Sequence, residues 1–247
     1  MWKPKVERIG EENYNFQGCL MKIIEYKKGS DITIEFQDSF KFKKKTQYNN
    51  FLEGKIKNPY YKSVYNIGCI GNTSVNINGL HKQSYIIWKG ILKRCYVDNS
   101  YCYKDCSVCN EWLCYENFEK WYDENYYKVG EERMCLDKDI LVKGNKVYSP
   151  DTCVFVPQRI NTLFVKSKSK RGLCPIGVTK VKNGKYSAGT TSIGIGMLGV
   201  FSTPEKAFQV YKIKKEQYIK EIANQYKDKI PLKLYEAMYN YQVEITD

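Results

Sequence analysis

Short runs of alternating polar and apolar residues dominate the first third of the chain. Leu20–Tyr26 (LMKIIEY) and Asp31–Phe36 (DITIEF) are rich in Ile, and the second alternates strictly enough to be a half-buried strand. Lys27, Lys28, Gly29 and Ser30 between them have the composition of a turn. Phe40–Lys45 (FKFKKK) and Tyr48–Phe51 extend the series of short strands. This spacing predicts a small β-barrel, SH3-like, over residues 1–72. Asn58-Pro59 reads as a turn, and Gly68–Gly79 reads as a linker.

The period then changes. In Tyr85–Tyr96 (YIIWKGILKRCY) the apolar positions Ile87, Trp88, Ile91, Leu92 and Cys95 fall at helical spacing, with Lys89, Lys93 and Arg94 opposite. Asn110–Tyr122 is a second helical stretch, with Trp112, Phe118 and Trp121 as core candidates. Beyond residue 172, Ile176–Val181, Lys185–Thr190 and Gly196–Phe201 read as three short strands, the first two joined at Asn183-Gly184, a strong hairpin signal. Ser202 or Thr203 can cap the helix that follows, Pro204 suits its first turn, and Glu205 suits its positive end. That helix is expected to run to about Tyr226, with a last short helix over Leu232–Tyr241. The class is α+β in three segments: 1–72, a central ββα region with helices over 80–165, and a three-stranded sheet packed on a helix over 172–247.

Charge sharpens this outline. The chain of 247 residues carries 40 Lys and Arg against 27 Asp and Glu, a formal charge of +13. Such a balance favours a polyanionic partner, since lysines and arginines release counterions from phosphates. From Thr152 to Pro204 there is no acidic residue, while Arg159, Lys166, Lys168, Lys170, Arg171, Lys180, Lys182 and Lys185 all fall there. A generic solvated surface mixes its signs, so this stretch marks a phosphate-binding face and double-stranded DNA as the expected partner. Lys43, Lys44 and Lys45 form a smaller basic run, as suited to a solvated strand end as to a phosphate. No apolar run is long enough for a transmembrane helix, and the opening MWKPKVERIGEENYNF lacks the apolar core of a signal peptide. A cytoplasmic protein without a membrane partner is therefore expected.

The C-terminal segment resembles the plant-type APETALA/ethylene-response-factor DNA-binding domain. The resemblance rests on Gly177-Val178, then Gly184 to Ala188, then Leu198 to Phe208, with Tyr211 one turn later. It implies a three-stranded sheet lying in the DNA major groove, a groove that admits a β-ribbon. The base-reading positions it implies carry Thr179, Lys180, Lys182, Lys185, Tyr186 and Thr190. The family usually has Arg after Gly-Val and Trp after Gly-Lys, where this chain has Thr179 and Tyr186. Thr and Lys make fewer bidentate base contacts than Arg, which implies affinity more than sequence selectivity.

Residues 85–164 resemble an HNH-endonuclease-like family common in bacteriophage genomes. Trp88, Arg94 to Tyr96, Val108-Cys109, Trp112, Phe118, Leu136-Asp137, Gly144, Tyr148 to Pro150, Cys153 and Asn161 carry the match. The resemblance implies a phage protein working in the host cytoplasm. It also implies Mg²⁺ or another divalent metal on Asp137 and Asn161, with a histidine activating water after Asp137. That position holds Lys138, a poor base near neutral pH, Asp139 is the only neighbouring substitute, and Thr152 stands near the place of the orienting Asn. Asp137, Lys138 and Asp139 are thus the catalytic candidates of a site that either cuts DNA, as a homing or nicking enzyme, or has kept the fold only to hold DNA. A third reading is a protein-interaction factor that modulates a host defence protein.

Two features stand apart. His81 is the only histidine and reads as a lone surface residue. Cys102, Cys106, Cys109 and Cys114 cluster, and Cys106 to Cys109 has C-x-x-C spacing, so structural zinc is one expectation. Packed thiols are the plain alternative, because no second C-x-x-C pair follows.

Overall fold

The computed structural model describes residues 8–98, 103–165, 173–190 and 194–247. The chain is mixed α+β and divides into two compact units, Met1–Glu124 and Asn125–Asp247, so the boundary falls inside the segment 80–165. Among the described residues no helix is long and apolar enough to cross a membrane.

The first unit opens with an antiparallel sheet of four strands in sequence order, β1 (Glu12–Tyr14), β2 (Leu20–Lys28), β3 (Asp31–Phe36) and β4 (Lys43–Thr46). Met21 pairs with Phe36 and Ile23 with Ile34, and these residues, fully buried, build its core with Ile32, Phe51 and Ile56. The sheet is open and not the expected SH3-like barrel: among the described residues β4 does not return to β1. The physical reason lies in Tyr48–Leu52, which forms helix α1 where the last of the expected short strands, Tyr48–Phe51, falls. Asn13 on β1 donates from Nδ2 to the carbonyls of Phe51 and Leu52 at 2.8 and 3.0 Å, and Phe51 fills the core. The helix end thus takes hydrogen bonds beside β1, where a closing strand would have paired. Lys43, Lys44 and Lys45 are exposed along the edge strand β4, a placement that discourages pairing with another chain.

Two short strands follow, β5 (Asn76–Ile77) and β6 (Leu80–His81), then α2 (Gln83–Tyr96). Of the positions the helical period predicts, Trp88, Ile91 and Leu92 are buried and Ile87 and Cys95 only half-buried, while Tyr85 joins the buried stripe. After β7 (Ser107–Val108) the second helical stretch divides. A 3₁₀ turn covers Glu111–Leu113, Cys114 is extended, and α3 covers Tyr115–Asn125. Trp112 and Phe118 are wholly buried and Trp121 nearly so, as expected of core residues. Trp88 donates from Nε1 to the Trp112 carbonyl at 2.7 Å, fastening α2 to that turn.

The second unit holds a β-β-α arrangement. Strand β8 (Met134–Asp137) pairs antiparallel with β10 (Val154–Pro157), the short β9 (Val147–Tyr148) lying between them in sequence. Helix α4 (Gln158–Leu163) follows β10 directly and packs on both paired strands. Next come β11 (Val178–Lys180), β12 (Tyr186–Thr190) and β13 (Gly196–Phe201), one antiparallel sheet covered by α5 (Pro204–Tyr226), with α6 (Leu232–Tyr239) packed on α5. Thr203 is the cap, its Oγ1 accepting the Lys206 N–H at 3.3 Å, with Pro204 in the first turn. Val178, Ala188, Ala207, Phe208 and Tyr211 are the buried centre of this layer. Gly177 has a left-handed φ of 72°, and a β-carbon there would collide with the Tyr211 ring.

Candidate nucleic-acid interface

Strand register decides which side chains the C-terminal sheet can offer a ligand. Thr179 lies opposite Ser187, and Ser187 opposite Val200, so these three share one face. Val178, Ala188 and Gly199 share the other, which faces α5, and Lys180, Tyr186 and Phe201 continue that same side. The face away from the helix therefore carries Thr179, Ser187 and Val200 but no charge in these rows.

The cations gather at one end instead. Lys182 and Lys185 are exposed in the β11–β12 turn, and Lys180 is exposed where β11 runs into it. The turn is held by Val181 N–H to the Lys185 carbonyl at 2.9 Å and Gly184 N–H to the Val181 carbonyl at 3.1 Å. Asn183 Oδ1 accepts the Lys185 N–H at 3.2 Å. Tyr186 is partly buried against the core layer, so its ring is a packing residue more than a stacking platform. The predicted set is thus divided: Thr179 on the open face, Lys180, Lys182 and Lys185 at the sheet end, Tyr186 on the core side, and Thr190 at the last position of β12, opposite Gly196. Lys166, Lys168, Lys170 and Arg171 lie outside the described residues. Arg159, one of the eight cations of the acid-free stretch, hydrogen-bonds to Tyr218 and Tyr226, and Tyr226 donates to Glu132 Oε1 at 2.8 Å.

The end of β8 places the catalytic candidates. Asp137 Oδ1 accepts the N–H groups of Asp139 and Ile140, both at 2.8 Å, so the carboxylate closes its own turn. Burial, and then the Asp139 charge, push the Asp137 carboxyl up to about 6. Lys138 is buried and its Nζ stands 3.2 Å from Asp139 Oδ2. Its carbonyl accepts Asn145 Nδ2 at 2.7 Å. Thr152 Oγ1 donates to the Val147 carbonyl at 2.9 Å and lies 2.8 Å from Ser149 Oγ. Asn161 sits on α4, the helix packed against the strand that carries Asp137.

This donor set suits a divalent cation poorly. One oxygen of Asp137 is committed to two main-chain donors, and the Lys138 ammonium already pairs with Asp139. Mg²⁺ asks for several oxygen ligands in a regular array and gains nothing beside an ammonium. Among the described residues no three His, Cys, Asp or Glu side chains come together to hold a metal.

The cysteines are also redistributed. Cys102 lies outside the described residues, Cys106 is buried, and Cys114 is engaged with Cys69. No local sequence signal joins Cys69 to Cys114, since Cys69 falls in the stretch that reads as a linker. That stretch is in fact pinned: Cys69 N–H donates to the Leu113 carbonyl and Glu116 N–H to the Ile70 carbonyl. His81 is exposed, its Nδ1 2.6 Å from Asn76 Oδ1 and its ring 5.1 Å from that of Tyr85. No protein-family model, curated protein or solved structure matches the chain.

Proposed function

We propose that the protein binds double-stranded DNA through its C-terminal unit and holds the strand without cutting it. The observation that carries this reading is the acid-free stretch from Thr152 to Pro204, with eight cations and no carboxylate. Its described lysines Lys180, Lys182 and Lys185 are exposed together at one end of a small sheet. Clustered ammonium groups without neighbouring carboxylates attract a phosphate backbone and displace its counterions. The β8–β10–α4 arrangement, which resembles the HNH-like core, supports a DNA-binding ancestry. Lys138, standing where that family has its histidine, is paired to Asp139, which supports a site without a general base. The sheet resembles the ethylene-response-factor type, yet an open face of Thr179, Ser187 and Val200 supports backbone grip more than base readout.

Titration of a fluorescent duplex with the full chain at several salt concentrations tests this. Log affinity should fall linearly with log salt, Lys180, Lys182 and Lys185 alone contributing a slope of about −2.7. A flat salt dependence would remove the electrostatic argument, and with it the reading.

A further inference from the structure

Cys69 and Cys114, far apart in sequence, face each other across a parallel β-bridge. Cys69 N–H donates to the Leu113 carbonyl and the Cys69 carbonyl accepts the Tyr115 N–H, both at 2.9 Å. Residues paired in this way project to the same side of the two strands. Both thiols are buried, each residue 5 % exposed, and they hydrogen-bond to one another. Cys114 also immediately precedes α3, so its sulfur stands at the helix N-terminus beside the N–H groups of Glu116 and Asn117. It occupies the place that a Ser or Asp oxygen takes in an N-cap, where the helix dipole favours a negative charge. The main chain passes close over this sulfur: at Gly71, with φ of 80°, a β-carbon would stand 3.0 Å from Cys114 Sγ.

These features differ between the two thiols. The hydrogen bond from Cys69 and the helix N–H groups bring the Cys114 thiol down to about 7, whereas Cys69, as the donor, is pushed well up. One sulfur is thus prepared as the nucleophile, and the other lies against it as a protonated partner.

We propose that Cys69 and Cys114 are a peroxide-oxidised dithiol, Cys114 the reacting sulfur and Cys69 the resolving one, which closes to an intramolecular disulfide. This inference stands apart from the DNA-binding reading. Burial restricts the oxidant to something small and uncharged, and hydrogen peroxide is the class that fits. The Cys114 thiolate attacks one peroxide oxygen, the O–O bond breaks, and hydroxide leaves, giving the sulfenic acid. The Cys69 sulfur then attacks Cys114 Sγ and loses its proton, the S–O bond breaks, and water leaves. Two thiols and one peroxide give one disulfide and two waters, each sulfur losing one electron and each peroxide oxygen gaining one. The second step needs no diffusion, because the bridge already holds the two cysteines opposite each other.

The test is oxidation of the full native chain with hydrogen peroxide, alkylation of the remaining thiols, and peptide mass spectrometry. A linked Cys69–Cys114 peptide pair should form about tenfold faster than any pair that includes Cys106, Cys109 or Cys135. The same treatment in denaturant should abolish that preference. In Cys69→Ser, Cys114 should accumulate as a sulfenic acid trapped by dimedone, whereas Cys69 in Cys114→Ser should not. If Cys69 and Cys114 stay reduced while other cysteines oxidise, or if the pairing preference survives denaturation, the proposal is overturned. The wild-type measurement decides the matter without either variant.

Discussion

The ammonium of Lys215 donates to the main-chain carbonyl of Leu163 at 2.5 Å, deep in the second unit. Leu163 is the last residue of α4, where helix carbonyls lack partners within the helix and the dipole is negative. Lys215 lies on the buried stripe of α5, between Tyr211, which covers the sheet, and Ile219. One side chain therefore caps the helix of the β-β-α arrangement from the helix that carries the basic sheet.

That capping has a pH signature. Burial lowers the Lys215 ammonium to about 8, below the ordinary lysine range. A lowered lysine means that the folded state releases its proton first. Stability should then rise as pH climbs from about 8 towards the unfolded value near 10.4, by up to about 3 kcal/mol. Urea unfolding followed by circular dichroism should show this rise in the wild type and lose it in Lys215→Met.

Asp137 gives the opposite slope. Its carboxyl is raised, so the folded state holds the proton longer, and this contribution is full below about 4 and lost as pH rises through about 6. Asp137→Asn keeps an oxygen for the Asp139 and Ile140 N–H groups and removes the charge. The variant should be more stable at pH 7 by about 2–3 kcal/mol and nearly equal to the wild type at pH 4. Paired melts at the two pH values check it.

The sheet register separates two modes of DNA contact. If the turn end grips phosphate, Lys182→Ala with Lys185→Ala should weaken duplex binding and reduce the salt slope by about 2. Thr179→Glu, on the open face, should then cost less than Lys185→Glu. The reverse order, measured by anisotropy titration, would place the open face in the groove instead.

Holding without cutting predicts an inert protein in a plasmid assay. Supercoiled DNA incubated with the full chain and Mg²⁺ or Mn²⁺ should remain supercoiled. Nicking that disappears in Asp137→Ala would establish an active endonuclease.

Packing at the sheet can be probed at Gly177. Alanine there must adopt a left-handed φ and press on the Tyr211 ring, at a cost of about 2–4 kcal/mol. Hydrogen exchange should localise the loss to the C-terminal sheet and α5.

Local pattern determined much of this molecule. The stripe of α2 around Trp88, the cap at Thr203 with Pro204, and the hairpin at Asn183-Gly184 follow from residues within one or two turns of each other. Period and capping are short-range physics, so the sequence alone carries them. The acid-free stretch is likewise a property of the chain itself.

What only the tertiary structure decided depends on distant partners. Tyr48–Leu52 is helical because Phe51 completes the core and Asn13 binds the carbonyls of Phe51 and Leu52, so the sheet stays open. The helical stretch around Trp112 breaks at Cys114 because Cys69 takes the main-chain groups on either side of it. Register moved Tyr186 to the core side and left Thr179 on the open face, a choice that each strand's composition leaves undetermined. Lys215 looks like any surface lysine until Leu163 is beside it. In each case the deciding energy is a buried contact or hydrogen bond between residues remote in the chain, and no local pattern encodes which remote residue will arrive.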